Sequence, residues 1–306
     1  MTFLKFPSFA KINLGLRILG KRTDGYHEID TVFQTISLHD DLTFTRRDDP
    51  KILLRCDDPD IPTDDKNLIV RAASLLKDHS PESIGADIHL TKRIPAQGGL
   101  GGASSNAAVT LLALNYLWHR GLNMNQLQGI GRELGSDVPF FLFGGLAHAT
   151  GTGSNVSILP EVKKLYLILV TPNAKVSTAA AYAALKAPSL TTKGSVSILS
   201  SSFAEPGFGD SDRWALENDF EGVIFEIEPE IRRAKVALLD AGAQGGLLAG
   251  SGSSVFGIFG NKDARERALT DLKRESGWRV FSCETISRDE YSESLSSSGF
   301  PILTLS

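Results

Sequence analysis

The sequence predicts an α+β protein of two domains, and three observations carry that expectation. Branched, alternating runs and helix-forming runs follow one another in both halves of the chain, the pattern of sheets covered by helices. The length of 306 residues is large for a single core. The composition changes near Pro160, which separates residues 1–158 from residues 159–306.

The elements follow in order. Phe3 to Phe9, Ile12 to Ile18, Thr31 to Leu38, Leu42 to Arg46 and Lys51 to Leu54 alternate and are rich in branched residues. Gly, Pro and Asp clusters divide them, so they predict strands of a largely antiparallel sheet. Residues 67–79 place Leu68, Ala72, Leu75 and Leu76 on one helical face, with Asp65 as a start signal. Ile84 to Ile94 alternates again and feeds a glycine-rich loop. The helix behind that loop runs to about Arg120 and stops at Gly121. Met124 to Leu134 forms another. Residues 136–153 hold Asp137, Pro139, a Phe-rich run and Gly144, Gly145, Gly151 and Gly153.

In the second half, Leu165 to Val170 is a buried strand and Ser177 to Leu185 an Ala-rich helix. Pro229 to Ala241 is a helix with proline at its start. Gly245 to Gly252 is a second glycine-rich turn, Val255 to Phe259 a strand, Lys262 to Glu275 a helix and Arg279 to Ile286 a strand. The Ser-rich stretches 189–202 and 292–298 are expected to be loops or loose tail.

Composition excludes several classes. The chain is 42% apolar and 22% charged, as soluble proteins with real cores are. A net charge of −4 gives no sign of nucleic-acid binding. No run approaches the ~18 apolar residues of a membrane span. Strand-like sequence starts at once without a signal or transit pattern, so a cytoplasmic protein is expected. Cys56 and Cys283 are far apart and read as free thiols. The six histidines form no H-x-x-x-H pair, which argues against a transition-metal site.

The functional signal is the loop Pro95-Ala96-Gln97-Gly98-Gly99-Leu100-Gly101-Gly102-Ala103-Ser104-Ser105-Asn106. Its glycines allow a ligand close to the backbone. The helix behind them offers unpaired N–H groups and the positive end of its dipole, a phosphate-binding arrangement. A plain turn is the competing reading. No lysine follows as a P-loop requires, and Ser104 stands where a dinucleotide fingerprint needs its third glycine. Lys11 lies between apolar neighbours in a strand, which argues for a specific partner. Asn13, two residues on, faces the same side. Asp137 fits a general base or a turn cap.

The loop resembles the second motif of the GHMP kinases, the superfamily of galactokinase, homoserine kinase, mevalonate kinase and phosphomevalonate kinase. Residues 8–16, containing Lys11 and Asn13, resemble its first motif, and Leu248 to Phe256 its third. Arg22 to Ile29, Asn67 to Ala72 and Leu134 to Phe141 are similar to a branch that phosphorylates a cytidyl diphosphate substrate. The resemblance implies ATP-dependent transfer to a 2-hydroxyl on the non-mevalonate route to isoprenoid precursors. It implies an N-terminal domain like ribosomal protein S5 domain 2, a ferredoxin-like C-terminal domain, and a site between them.

The resemblance also assigns roles. Lys11 and Asp137 become catalytic, and Asn13 a substrate contact. The loop from Pro95 to Ser105 binds ATP, with Mg²⁺ near Ser104 or Ser105. Asn67 and Lys92 lie on the adenine side. Tyr26 and His27 recognise cytidine. Tyr182 is either the second side of that stack or a core residue. Gly250 and Ser251 close over phosphates or substrate. The small-molecule partner fits a monomer or weak homodimer. Alternatives are another GHMP kinase acting on homoserine or mevalonate, against which Tyr26 and His27 argue, and a non-catalytic nucleotide-binding protein, against which Lys11 and Asp137 argue. Gln97, Ala103 and Leu248-Ala249 depart from the family pattern. Ala103 carries a Cβ, so helical φ is expected there.

Overall fold

A computed structural model describes residues 3–78, 84–185 and 216–296. Its first half is organised by two long antiparallel strands, β1 (Phe3–Lys21) and β2 (His27–Arg47). The breaks expected inside them are not interruptions. Phe9 pairs with His39 and Ala10 with Ile36, so Ser37 and Leu38 bulge out of β2 while both strands continue. The other edge of β2 carries β4 (Gly85–Thr91) along its second half and β5 (Leu146–Gly151) along its first. β3 (Ile52–Cys56) extends the sheet beside β4, and β6 (Asn155–Ile158) beside β5. A two-residue strand, β8 (Glu217–Asn218), runs parallel to β1 and completes seven strands.

Four helices pack with this sheet: α1 (Leu68–Asp78), α2 (Gly102–Leu117), α3 (Met124–Leu134) and the single turn α4 (Val138–Phe141). α2 is apolar nearly all round and correspondingly buried from Ser105 to Leu117 over most of its surface. It ends earlier than expected. Trp118 is buried, its indole N–H donates to the Gly85 carbonyl at 3.1 Å, and His119 turns left-handed at φ 53°. α1 also differs at its start: Asn67, not Asp65, accepts the Ile69 N–H at 2.9 Å.

The second sheet orders β11 (Trp278–Glu284), β7 (Tyr166–Pro172), β10 (Val255–Phe259) and β9 (Gly245–Leu248), all antiparallel. The first four residues of the expected glycine turn are thus strand. Helices α5 (Thr178–Leu185), α6 (Phe220–Ile227), α7 (Pro229–Asp240) and α8 (Lys262–Leu272) belong to this half, and α6 has no counterpart in the sequence expectations.

The boundary after residue 158 falls between β6 and β7, but two later pieces return to the first half. One is β8. The other is α9 (Arg288–Ser296), which corrects the loose tail expected over 292–298 as far as residue 296. Tyr291 and Leu295, one helical turn apart, are buried in the first core, and the Tyr291 hydroxyl donates to the Phe141 carbonyl. Residues 189–202 and 297–298 lie outside the described residues. No helix among the described residues is long and apolar enough to cross a membrane.

Candidate active site

Lys11 and Asn13 are two residues apart in a regularly paired stretch of β1, so they lie side by side on one face. Lys11 is 4% exposed, and its ammonium donates to Asn13 Oδ1 at 2.7 Å. The Asn13 amide donates to Thr31 Oγ1 at 2.7 Å, and that hydroxyl donates to the Gly15 carbonyl. This chain fixes the lysine. Its Nζ lies 5.1 Å from the centre of the Phe33 ring and 3.7 Å from Asp137 Oδ2. Burial draws the Lys11 pKa below its ordinary 10.5, and the carboxylate opposes that fall. Asp137 precedes α4 but makes no side-chain capping bond, and its side chain is 28% exposed. Its carboxylate is therefore turned to an open space and not spent on the helix.

The glycine loop lies against the same lysine. The Lys11 N–H donates to the Leu100 carbonyl at 3.0 Å. Gly99 (φ 75°) and Gly101 (φ 69°) are left-handed, and Gly101 caps α2. Ala103 sits in the first turn of α2 without positive φ. The left-handed non-glycine residue of the loop is Gln97, at φ 57°. The second glycine turn closes on the first. Ser253 and Ser254 N–H groups donate to the Gln97 and Gly98 carbonyls, each at 3.2 Å. A Cβ on Gly250 would lie 3.4 Å from Lys11 Nζ. The turn is stapled by Asn218, whose amide donates to the Leu248 carbonyl at 2.9 Å and the Gly250 carbonyl at 2.7 Å. Ser251 Oγ lies 3.1 Å from Thr178 Oγ1 at the start of α5.

The other expected residues separate into groups. Pro95 and Leu100 are buried and anchor the loop, while Ala96 and Gln97 are exposed. Ser105, one of the two serines expected near a metal, is fully buried, and its hydroxyl accepts from Ser8 Oγ at 2.7 Å. Ser104 is the half-exposed serine of the two. Lys92 pairs with the buried Asp40 at 3.0 Å. Asn67 is engaged in capping α1, its amide donating to the Pro62 carbonyl at 2.6 Å.

His27 and Tyr182 stack with ring centres 4.6 Å apart, and Tyr182 meets Phe220 edge-on. Tyr182 thus packs against the second core, as one of its two anticipated roles has it, and lays its ring on His27. Burial pushes its pKa up to about 12, with a further push from Asp137. The ring of Tyr26 is 67% exposed beside the turn that Asp24 caps. Burial, then Lys21, lowers the His27 pKa.

Two residues of this assembly gave no sequence signal as site residues. Asp40 looks like one more polar residue in a strand. Asn218 lies just before α6, a helix absent from the sequence expectations, and its Oδ1 also accepts the Phe220 N–H at 3.0 Å.

Among the described residues, no group of three or more His, Cys, Asp or Glu could hold a metal ion. Oxygen donors remain near the loops, on Asp137 and Ser104. That set suits Mg²⁺ carried in with phosphates and water, not a protein-made cage.

Two glycine turns clasped over a buried lysine and an open carboxylate are the arrangement of a small-molecule kinase. The chain belongs to the GHMP kinase family: its residues 67–145 match the GHMP kinases N terminal domain, and residues 201–277 match the GHMP kinases C terminal model. More particularly, it is 40% identical over 285 residues to a 4-diphosphocytidyl-2-C-methyl-D-erythritol kinase of Syntrophus aciditrophicus, covering 92% of this chain and 99% of that one. It is 41% identical to the kinase of the same name from Prosthecochloris aestuarii, covering 89% and 94%. A crystal structure of 4-(cytidine 5'-diphospho)-2C-methyl-D-erythritol kinase superposes with a TM-score of 0.77 at 32% identity, covering 92% of this chain and 99% of that chain. A homoserine kinase from Cytophaga hutchinsonii shares the fold, with a TM-score of 0.69 at 20% identity and coverage of 94% and 95%.

Proposed function

We propose that the protein transfers the γ-phosphoryl group of ATP to the 2-hydroxyl of 4-diphosphocytidyl-2-C-methyl-D-erythritol, on the methylerythritol phosphate route to isoprenoid precursors. The observation that carries the chemistry is the Lys11–Asp137 pair, 3.7 Å apart at the seam of two glycine turns. The relatives at about 40% identity carry the choice of substrate.

In this reading the N–H groups of Gly98 to Ser104 and the positive end of α2 hold the β- and γ-phosphates. The acceptor hydroxyl oxygen forms a bond to the γ-phosphorus as the bond to the β–γ bridging oxygen breaks, and its proton passes to Asp137. The transition state is loose, so the carboxylate mainly orients the hydroxyl and takes the proton late. The Lys11 ammonium faces the charge gathering there. Ser104 and Asp137 are the oxygen donors that would hold Mg²⁺ brought in with the nucleotide, which would supply further neutralisation of the phosphates. The base is read by Tyr26, His27 and Tyr182. A neutral imidazole offers one donor and one acceptor, the complement of a cytosine edge, and the lowered His27 pKa favours that form. We further place the enzyme in the cytoplasm, acting on this small molecule as a monomer or weak homodimer.

A coupled assay with the cytidyl substrate, mevalonate and homoserine side by side tests the assignment. Turnover is expected with the first alone; turnover of mevalonate without the cytidyl compound overturns it. A second expectation concerns pH. Activity that needs the Lys11 cation is present below its pKa and is lost as pH rises through it. Because that pKa lies below 10.5, the alkaline limb of kcat falls below 10.5 as well. Lys11→Arg keeps the cation and moves the limb upward. An unmoved limb in a variant that still turns over removes Lys11 as its origin.

A further inference from the structure

The second glycine turn, Ala249 to Ser254, is closed by hydrogen bonds that leave two of its donors over. The Ala249 N–H donates to the Ser254 carbonyl and the Gly252 N–H to the Ala249 carbonyl, each at 2.9 Å. The Ser253 and Ser254 N–H groups are spent on the first turn. Among the described residues, the N–H groups of Gly250 and Ser251 have no partner. Ser251 is also the one residue of this turn that is not buried. The peptide that carries its N–H begins at Gly250, where a Cβ would lie 3.4 Å from Lys11 Nζ.

The direction of that N–H is set from β8. Asn218 is 7% exposed, and its side chain bonds to backbone alone. Its shortest bond, at 2.7 Å, runs past the end of β9 to the Gly250 carbonyl. The Gly250–Ser251 peptide is trans, so its N–H points opposite to its carbonyl. With the carbonyl turned to the buried Asn218 amide, the Ser251 N–H faces away from the buried side of the turn. A plain structural tie explains the Asn218 bond to Leu248. It does not explain the bond to Gly250, because the end of β9 is already tied a second time. Glu221, in the first turn of α6, accepts the Leu248 N–H at 3.0 Å and the Lys235 ammonium at 2.7 Å. Gly250 is left-handed, at φ 55°, and a glycine does not by itself choose one orientation for the peptide beside it. Asn218 makes that choice.

We propose that Asn218 is a positioning residue for phosphoryl transfer, which locks the Gly250–Ser251 peptide so that the Ser251 N–H, beside the Lys11 ammonium, meets the negative charge of the transferring group. This rests on the reading of Lys11 and Asp137 as the reacting pair. The N–H acts on the anion, and Asn218 acts through the N–H. A donor fixed in advance counts most where charge develops, so its effect falls on kcat.

The test compares Asn218→Asp with Glu221→Gln in steady state and in thermal melts. Asn218→Asp keeps an oxygen for the Phe220 N–H but sets a second oxygen against the Leu248 and Gly250 carbonyls. It is expected to lower kcat about a hundredfold, with the KM for ATP and for the acceptor within about threefold of wild type. Glu221→Gln loosens the same strand end without touching Gly250. It is expected to lower the melting temperature and to leave kcat within about twofold of wild type. A merely structural Asn218 makes the two variants alike, so a kcat that falls in both in step with the melting temperature overturns the proposal. So does a kcat of Asn218→Asp within about twofold of wild type. Should Asn218→Asp not fold, Asn218→Ala decides, because it removes the donor without placing an oxygen against the carbonyls; an undiminished kcat there overturns the proposal. A wild type inert toward the cytidyl substrate, mevalonate and homoserine alike overturns the kinase reading and this proposal with it. An active wild type beside an undiminished Asn218→Asp overturns this proposal alone.

Discussion

Asp137→Asn lowers kcat by about two to four orders of magnitude while ATP affinity stays within about threefold of wild type. The substitution changes one oxygen to an amide nitrogen and leaves the shape in place. An amide can still orient a hydroxyl, but it cannot take its proton, so the loss belongs to kcat. The fold gives little ground for a competing explanation. Asp137 makes no capping bond to α4, its side chain is 28% exposed, and the helix after it is fixed by Val138, Pro139, Phe140 and Phe141, all buried. A thermal melt close to wild type is therefore expected beside the lost turnover. The variant also has a signature in pH. Asp137 opposes the fall in the Lys11 pKa, so removing its charge lets burial carry that pKa lower. Whatever activity remains should lose its alkaline limb at a lower pH than wild type does. A variant with near-normal kcat would falsify the base assignment.

Much of this site was legible in the sequence because its parts are local. The glycine loop and the helix behind it are contiguous, and Lys11 and Asn13 are two residues apart in a strand. What was not legible depends on contacts across the chain. The ion pair of Lys92 was hidden because its counter-charge, Asp40, is 52 residues away and indistinguishable by pattern from Asp41 beside it. Ser104 and Ser105 are neighbours of one kind, and only the packing of α2 on Ser8 decides which of them is buried. Strand ends failed for a related reason. Ser37 and Leu38 break the alternation of β2 by bulging while the strand itself continues. α9 was hidden by its serines, since Tyr291 and Leu295 are all the apolar face it needs once the first core receives them. Tertiary burial overrode a composition that by itself favours loop.

Gly99→Ala should disable the enzyme from a position that touches no acceptor. A Cβ at Gly99 would lie 1.9 Å from the Ala249 carbonyl oxygen and 2.8 Å from its carbon, with a backbone φ of 75° that a side chain tolerates poorly. The obstruction is backbone, so no rotamer change relieves it. Nor is the turn free to retreat, because Asn218 holds the carbonyls on either side, those of Leu248 and Gly250. The two glycine turns must part instead, which gives up the bonds from Ser253 to Gln97 and from Ser254 to Gly98. Left-handed strain and two lost hydrogen bonds together cost about 2–4 kcal/mol, enough to lower the melting temperature by several degrees. The functional loss is larger than the loss of stability. Parting the turns moves the N–H groups proposed to bind phosphate away from Lys11, and misplacement of about 1 Å can cost a hundredfold in rate. The matching control is Gly129→Ala in the middle of α3, where an added Cβ meets nothing within 4 Å. There the substitution should leave kinetics unchanged and stabilise by about 0.5–1 kcal/mol through helix propensity. Equal behaviour of the two alanine variants in kcat, KM for ATP and melting temperature would show that the closure of the glycine turns carries no catalytic weight.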